Sequence, residues 1–590
     1  MLNIRIIYIC CLILTFASCK MKDEITCYGG SDSDLVQLLE KEGYTLKFYP
    51  SVSEALQNAP EKSGVLLLSD SYPVKGTSIS QEDESLIEAK SLRVLVEFPQ
   101  RIGTTDSSKS DTLNLERIVV CDSINTELPF MSLLSFNRCI LKETSDSINH
   151  PILVAAKVAG FDKAVYGLKD TETRPVLYYR TPHLLVSTTC ISHFASDRYM
   201  PEQKIKSLYE YIFRWLLSKN TVTFSSWITY ITPSYTPSDV LPENAGYESI
   251  KKGIEWFYNG HFLVHSEWKQ NWVDKYMGDG TMPIGPSIPD QFQNGDGSLG
   301  VLEGHMSEIR YDGSQLYRYW MRADVQGEAS YAFAAAGDLL ENNEYSKVAT
   351  NLIDYSFKEY RDSERNDPAS PSYGLLGWAY THKGTYYGDD NARFLLGVIA
   401  SSALLNDTEW DKKIAEGIIG NFRTTGINGF RGGSLLDTDI QKRGWKSFYD
   451  NNTVNLHAHF EAWNWACYLW LYNQTQYEPL LERSKKALSM MMASYPEQWS
   501  WTNGIQQERA RMILPLAWLY RVEPTEEHLK WLHYMTNELL KNQVTCGGIR
   551  EELGDESKSS FGHSPSNEAY GSTEASLIFD NGDPVADMLY

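Results

Sequence analysis

Basic residues are in short supply: 54 lysines and arginines stand against 76 aspartates and glutamates, a net charge of -22. So acidic a chain offers no face to the phosphates of nucleic acid, which need clustered Lys and Arg. Paired cysteines are missing as well. Of the nine cysteines, Cys10, Cys11 and Cys19 fall in the first stretch, and Cys27, Cys121, Cys139, Cys190, Cys467 and Cys546 are scattered without a CxxC. That spacing implies neither a disulfide framework nor a zinc ribbon. The apolar run at the N-terminus, Ile6 to Phe16, falls short of the ~20 residues a membrane-spanning helix needs.

What is present is a folded body with an uneven charge. At 590 residues, 42% hydrophobic and 22% charged, the chain is long enough for two domains, one of them large. Residues 1–220 hold 27 acidic and 24 basic residues, and the remainder 49 and 30, a net of -19. Fifteen of the sixteen tryptophans also follow residue 220. An acidic body rich in Trp and Tyr suits carbohydrate, whose rings stack on aromatics and whose hydroxyls bond to Asp, Asn and Glu. The N-terminus reads as a signal segment over residues 1–18, with Arg5 as its positive end. Phe16-Ala17-Ser18-Cys19 resembles a bacterial lipobox, so Cys19 is the expected lipidation site. Lys22-Asp23-Glu24 resembles the signal that sends lipoproteins to the surface of Gram-negative cells. The expected location is therefore a lipid-anchored outer membrane or cell-surface protein, with the periplasmic face as the alternative.

From residue 25 to 220 strands and helices alternate: Ile25–Tyr28, a helix over Ser33–Gly43, and the buried run Gly64–Ser69. Ser91–Phe98, Arg117–Val120, Pro151–Lys157 and Pro182–Ser187 continue it, predicting an open α/β sheet closed by a helix over Gln203–Leu217. The segment resembles the class-I glutamine-amidotransferase-like domains attached to bacterial carbohydrate-active proteins. A nucleophile elbow needs close glycines, however, and Thr188-Thr189-Cys190-Ile191-Ser192-His193 has none. Cys190 and His193 are read as structural and the domain as non-catalytic, with its boundary at 218–223.

The second domain, 221–590, begins with a Pro/Ser-rich strap and a helix over Ala245–Asn259. An irregular stretch, Gly260–Gly300, reads as a rim or lid. Helices are then predicted over 323–341, 344–360, 391–405, 408–424, 454–473, 477–492, 505–520 and 525–541. Short polar turns alternate with long Gly/Pro/Trp loops, as in a toroid of inner and outer helices with the site on the long-loop face. Nine helices are legible where a six-hairpin toroid needs twelve. Either closing helices lie within 550–590 or the toroid lacks its final turn.

The stretch Tyr386-Tyr387-Gly388-Asp389-Asp390-Asn391-Ala392-Arg393 stands out, with two carboxylates where a Gly/Tyr loop becomes an apolar helix. Asp and Asn here could simply cap the helix, but one cap needs one acceptor and three are on offer. This stretch and four others resemble the six-hairpin glycosidase superfamily of (α/α)6-barrel bacterial enzymes. The others are Arg322–Glu328, His457–Trp463, Gln507–Arg511 and Glu568–Glu574. Within that superfamily the likeness is closest to glucuronidases and unsaturated-glucuronyl hydrolases. It implies a glycoside hydrolase acting on oligosaccharides or polysaccharides with no cofactor, and a uronic acid among its substrates.

Such an enzyme needs one protonated and one ionised carboxyl. The candidates are Asp389 and Asp390, of which at most one is expected to face the substrate, and Asp324 and Glu328, four apart on one helical face. Arg322 and Arg393 are candidate substrate clamps or, alternatively, hold Asp324 or Asp390 in place. His305 and Glu303 are read as rim ligands, Tyr387, His457, Glu461 and Glu574 as further substrate contacts, and one of Trp463, Trp465 and Trp470 as a sugar platform. Glu461 is expected to share a helical face with His457. His457 and His459 point apart on a helix, so no metal site is expected. Glu508, Arg509 and Arg511 read first as surface pairing. Two alternatives stand beside the hydrolase: a helical-toroid polysaccharide lyase using Tyr387, His457 and His305, and a glycan-binding lipoprotein without turnover.

Overall fold

The computed structural model describes residues 23–570 except 108, 145–147, 161, 200–201, 232–233, 236–237, 307, 503, 546, 553–554 and 561–565. Cys19, Cys546 and Glu574 lie outside the described residues. The chain divides into two compact units. One runs to Ala156 and resumes over Glu172–Thr232; the other comprises Lys157–Thr171 and the chain from Pro233.

The first unit is built on a nine-stranded sheet. Its strands are β1 (Glu24–Tyr28), β2 (Thr45–Phe48), β3 (Gly64–Leu67), β4 (Arg93–Glu97), β5 (Arg117–Val120), β6 (Leu133–Leu134), β7 (Leu153–Ala156), β8 (Thr173–Thr181) and β9 (Leu184–Ser187). They lie in the order β6-β5-β7-β8-β9-β4-β3-β1-β2. The stretch from β9 to β2 is parallel, with Val65–Leu67 and Val94–Val96 fully buried, as expected for strands covered on both faces. The other half is antiparallel. Strand β8 is absent from the sequence reading: Pro175 interrupts its apolar pattern, and antiparallel pairing to β7 and β9 is what holds it. Four helices accompany the sheet: α1 (Asp34–Lys41), α2 (Val52–Asn58), α3 (Gln81–Ala89) and α4 (Glu202–Leu216). Cys190 is fully buried and its thiol donates to the Glu97 carboxylate at 3.1 Å. Burial and that carboxylate push the thiol well above its ordinary pKa, the reverse of an activated nucleophile.

The second unit is helical, beginning with α5 (Ala245–Asn259). Four antiparallel hairpins follow: α6 (Ala323–Leu339) with α7 (Asn343–Glu359), α8 (Gly388–Leu405) with α9 (Asp411–Arg423), α10 (Ala458–Thr475) with α11 (Glu478–Ser494), and α12 (Ile505–Val522) with α13 (Glu526–Leu540). Turn chemistry agrees with the chain: Asn342 and Thr525 cap α7 and α13, and Asn406 ends α8 in the left-handed region. The first helix of each hairpin packs on the first helix of the next, so α6, α8, α10 and α12 form an inner row and their partners an outer one. The inner helices are apolar nearly all round, as buried helices must be. Trp410, Trp465 and Trp499 are fully buried in the core of this unit.

The hairpins among the described residues thus number four, beside α5. The stretch expected as a rim, 260–300, contains short helical turns at Ser266–Trp268 and Lys275–Met277, and Trp268 is fully buried in the core. It packs as wall, not as a lid.

Helices α6 and α8 cross at glycines. A Cβ on Gly327 would lie 2.5 Å from the Phe394 Cα, and one on Gly397 would lie 2.3 Å from the Gly327 carbonyl oxygen. No side chain fits between these backbones, so the two helix starts are held at closest approach.

Candidate active site

Each inner helix carries a buried acid in its first turn: Asp324 in α6, Asp389 and Asp390 in α8, Glu461 in α10 and Glu508 in α12. None of the two aspartates of α8 caps it. The helix begins one residue earlier, behind Tyr387, with no side-chain cap. Asn391 instead bonds both backbone groups of Leu376, pinning the preceding loop.

Asp389 and Asp390 diverge from this start toward opposite neighbours. Asp390 meets Arg322, whose Nη2 donates at 2.7 Å to it and at 2.7 Å to Asp324. The same guanidinium donates from Nη1 to Glu303 at 3.2 Å. Arg393 grips Glu328 with Nε and Nη2, both at 2.7 Å, and lies 2.7 Å from Asp324 through Nη1. Its carboxylate partners are therefore on α6, not the Asp390 of its own helix.

Asp389 faces the other way. His459 Nε2 is 3.4 Å and Arg511 Nη1 3.9 Å from its Oδ2. Arg511 also donates to the His459 carbonyl at 2.9 Å. Glu508 accepts from the His459 and Thr502 backbone N–H groups, and lies 3.5 Å from His457 Nε2. Glu508, Arg509 and Arg511 are all buried, which corrects the surface-pairing expectation.

The two adjacent carboxyls are pushed apart electrostatically. Burial raises Asp390, and the carboxylates of Asp324 and Asp389 raise it further, well above the usual range, against the pull of Arg322. Burial also opposes ionisation of Asp389, but His459, Arg511 and Arg393 outweigh it and hold that carboxyl below the usual range. His459 itself is kept low by burial and by Arg511. Near neutrality it is therefore uncharged, with Nε2 facing Asp389.

Several buried polar atoms here have no hydrogen-bond partner among the described residues: Asp324 Oδ1, Asp389 Oδ1, His459 Nδ1 and Arg322 Nε. A cluster of such atoms is what a polar ligand would satisfy. A cavity of about 610 Å³ is lined by Glu328, Arg393, Trp463 and Arg511 and by apolar residues of α8 and α12; Asp324, Asp389, Asp390 and His459 are not among its lining residues. Trp463 stands between Arg393 and Arg511, whose guanidinium carbons lie 5.9 and 4.3 Å from its ring centre. Trp465 is core, and Trp470 packs against it.

Other expected contacts point elsewhere. Glu461 accepts from the Arg431 and Gly432 N–H groups and from Asn455, fixing a loop. Its shared face with His457 does not arise, because His457 is the extended residue before the helix. His457 bonds Thr502 at 3.1 Å. Tyr387 packs on Trp378, beside the two aspartates. His305 lies in an aromatic cluster with Trp256, Phe262 and Tyr317. Thus Asp324, Glu328, Asp389, Asp390, Arg322 and Arg393 come together with Tyr387 beside them, whereas His457 meets Glu508 and His305 lies in the separate aromatic cluster.

No protein-family model matches the chain, and no curated protein sequence matches it. Solved structures similar to it include a glycoside hydrolase family 76 α-mannanase of Bacteroides thetaiotaomicron, at 14% identity, covering 40% of this chain and 62% of that one, with a TM-score of 0.29. Cellobiose 2-epimerase from Spirochaeta thermophila matches at 10% identity over 53% of this chain and 75% of its own, with a TM-score of 0.32. A family 105 glycoside hydrolase of C. acetobutylicum matches at 11% identity over 53% and 82%, with a TM-score of 0.31. The chain thus spans less than two thirds of the mannanase's length. Scores of this size leave the chemistry to be argued from the site's own atoms.

Proposed function

We propose that the second unit is a glycoside hydrolase in which both aspartates of the α8 start act, Asp390 donating the proton and Asp389 serving as the ionised partner, against the expectation that at most one of them faces the substrate. The observation that carries this reading is the gathering of three buried carboxyls, Asp324, Asp389 and Asp390, with Arg322 and Arg393 at the starts of two packed helices, where several buried polar atoms lack a partner. Cleaving a glycosidic bond takes an acid on the leaving oxygen and a carboxylate that either activates water or attacks the anomeric carbon. Asp390, kept protonated by burial among like charges, fits the first task. Asp389, kept ionised by His459 and two arginines, fits the second. His459 Nδ1 and the unpartnered oxygens of Asp324 and Asp389 are suited to sugar hydroxyls.

Purified protein incubated with a panel of oligosaccharides and aryl glycosides should release a monosaccharide, and Asp390→Asn should cut that rate about 10²–10⁴-fold. Asp390→Asn at the wild-type rate would sink the assignment. Products carrying a new C4–C5 double bond would make the enzyme a lyase, and tight glycan binding without turnover a carbohydrate-binding protein. The first unit is read as non-catalytic support, in keeping with its inert Cys190. Cys19 is proposed as the lipid anchor that holds the protein at the outer membrane.

A further inference from the structure

We infer that the sugar unit held at the reacting carboxylates is uncharged, a neutral glycosyl residue and not a uronic acid. The inference rests on the hydrolase reading for its ligand and on the guanidinium donors for that ligand's charge. A uronate is recognised by an arginine fork, two parallel N–H donors meeting one carboxylate. The two arginines that meet Asp324 and Asp390 already have that position filled by the protein. Arg322 has one terminal nitrogen on Glu303 and the other shared by Asp324 and Asp390. Its unpartnered Nε is a single donor on a guanidinium already committed to three carboxyls. Arg393 makes its fork with Glu328 and turns its remaining nitrogen to Asp324. Arg511 donates to the His459 carbonyl, and its guanidinium carbon lies 4.3 Å from the Trp463 ring centre.

To hold a uronate, Arg322 would have to leave the buried carboxylates of Asp324 and Asp390 without their counter-ion, or Arg393 would have to give up its fork with Glu328. Breaking a buried pair weakens binding by roughly a hundredfold or more. The groups left over point the same way. Asp324 Oδ1 and Asp389 Oδ1 are acceptors that take hydroxyl hydrogens and repel a third carboxylate. The geometry therefore runs against the uronic acid that the likeness to glucuronidases implies.

Calorimetric titration of the full chain at pH 7 with matched pairs decides it: glucose and glucuronate, galactose and galacturonate, mannose and mannuronate. In at least one pair the neutral sugar should bind about tenfold or more tightly than its uronate. Glu328→Gln, which releases the Arg393 fork, should narrow that gap. A uronate that binds as tightly as its neutral partner in wild-type protein overturns the inference, and so does binding by no sugar at all. Turnover, measured separately on the matched nitrophenyl glycosides, keeps the two readings apart. Uronide hydrolysis overturns the neutral-sugar inference and leaves the hydrolase standing. Neutral-only binding with no glycoside turned over does the opposite.

Discussion

The crossing of α6 and α8 can be tested with a single methyl group. In Gly327→Ala the new Cβ would sit 2.5 Å from the Phe394 Cα and 2.8 Å from its carbonyl oxygen, both backbone atoms that cannot rotate away. Ordinary contact is about 3.4 Å or more, so the helices must separate by about 1 Å. Overpacking of this kind costs about 1–3 kcal/mol, which lowers Tm by about 2–10 °C in a domain of this size. The chemistry should suffer more. Asp324 lies one turn from Gly327 and Asp390 one turn from Phe394, and both accept from the same Arg322 nitrogen at 2.7 Å. A shift of ~1 Å takes at least one of those bonds past hydrogen-bonding distance. Without it the proton donor is misplaced, and kcat should fall about a hundredfold while substrate binding changes little. Steady-state kinetics on the best substrate, with calorimetric melting alongside, reads both effects. Gly253→Ala is the control: it lies in α5 with nothing near its added methyl, and should stabilise by about 0.5–1 kcal/mol. A Gly327→Ala protein with wild-type kcat and Tm would refute the close-approach argument.

Further outcomes follow from the charges. Activity should show a bell-shaped pH profile, lost in acid as Asp389 takes up its proton below the usual range and lost in alkali as Asp390 releases its proton above it. In Asp390→Asn the residual activity should lack the alkaline limb. Glu461 has its carboxyl raised by burial to about 7, against the bonds from Arg431, Asn455 and Gly432. Its folded form therefore holds a proton that the unfolded form has lost between about pH 4.5 and 7, so stability falls as pH rises through that window. Glu461→Gln should flatten the fall by on the order of 2–3 kcal/mol in urea titrations at pH 5 and pH 8. Cys19→Ala should move the protein from the membrane pellet to the soluble fraction, and persistence in the pellet would mean another anchor.

The helices were legible because their signals are local. Apolar residues recur every three to four positions, Asn342 and Thr525 cap, and Asn406 takes the left-handed turn, so observed and expected bounds differ by a few residues. The Asp389-Asp390 pair was legible for a similar reason, since two acids opening an apolar helix exceed what capping needs. Partners were not. That Arg393 grips Glu328 across the helix crossing depends on the glycine contact, which no spacing along either helix reveals. Glu508 and Arg511 carry the composition of a surface pair, and only the docking of α12 on α10 turns them inward. The role of Glu461 was hidden because its partners are backbone N–H groups of a loop thirty residues earlier.

Because the site is drawn from the first turns of four inner helices far apart in the chain, it has a kinetic signature during folding. Each hairpin consists of neighbouring segments and can form early from local contacts, as in repeat-like helical stacks. The meeting of Arg322, Asp390, Asp389 and Arg511 requires consecutive hairpins to have docked. On the proposed hydrolase reading, catalytic competence should be the last property acquired on refolding and the first surrendered in mild denaturant, ahead of any change in helical circular dichroism. A preparation can look fully helical and still be inert, so catalytic rate, not secondary structure, is the measure of its native fraction.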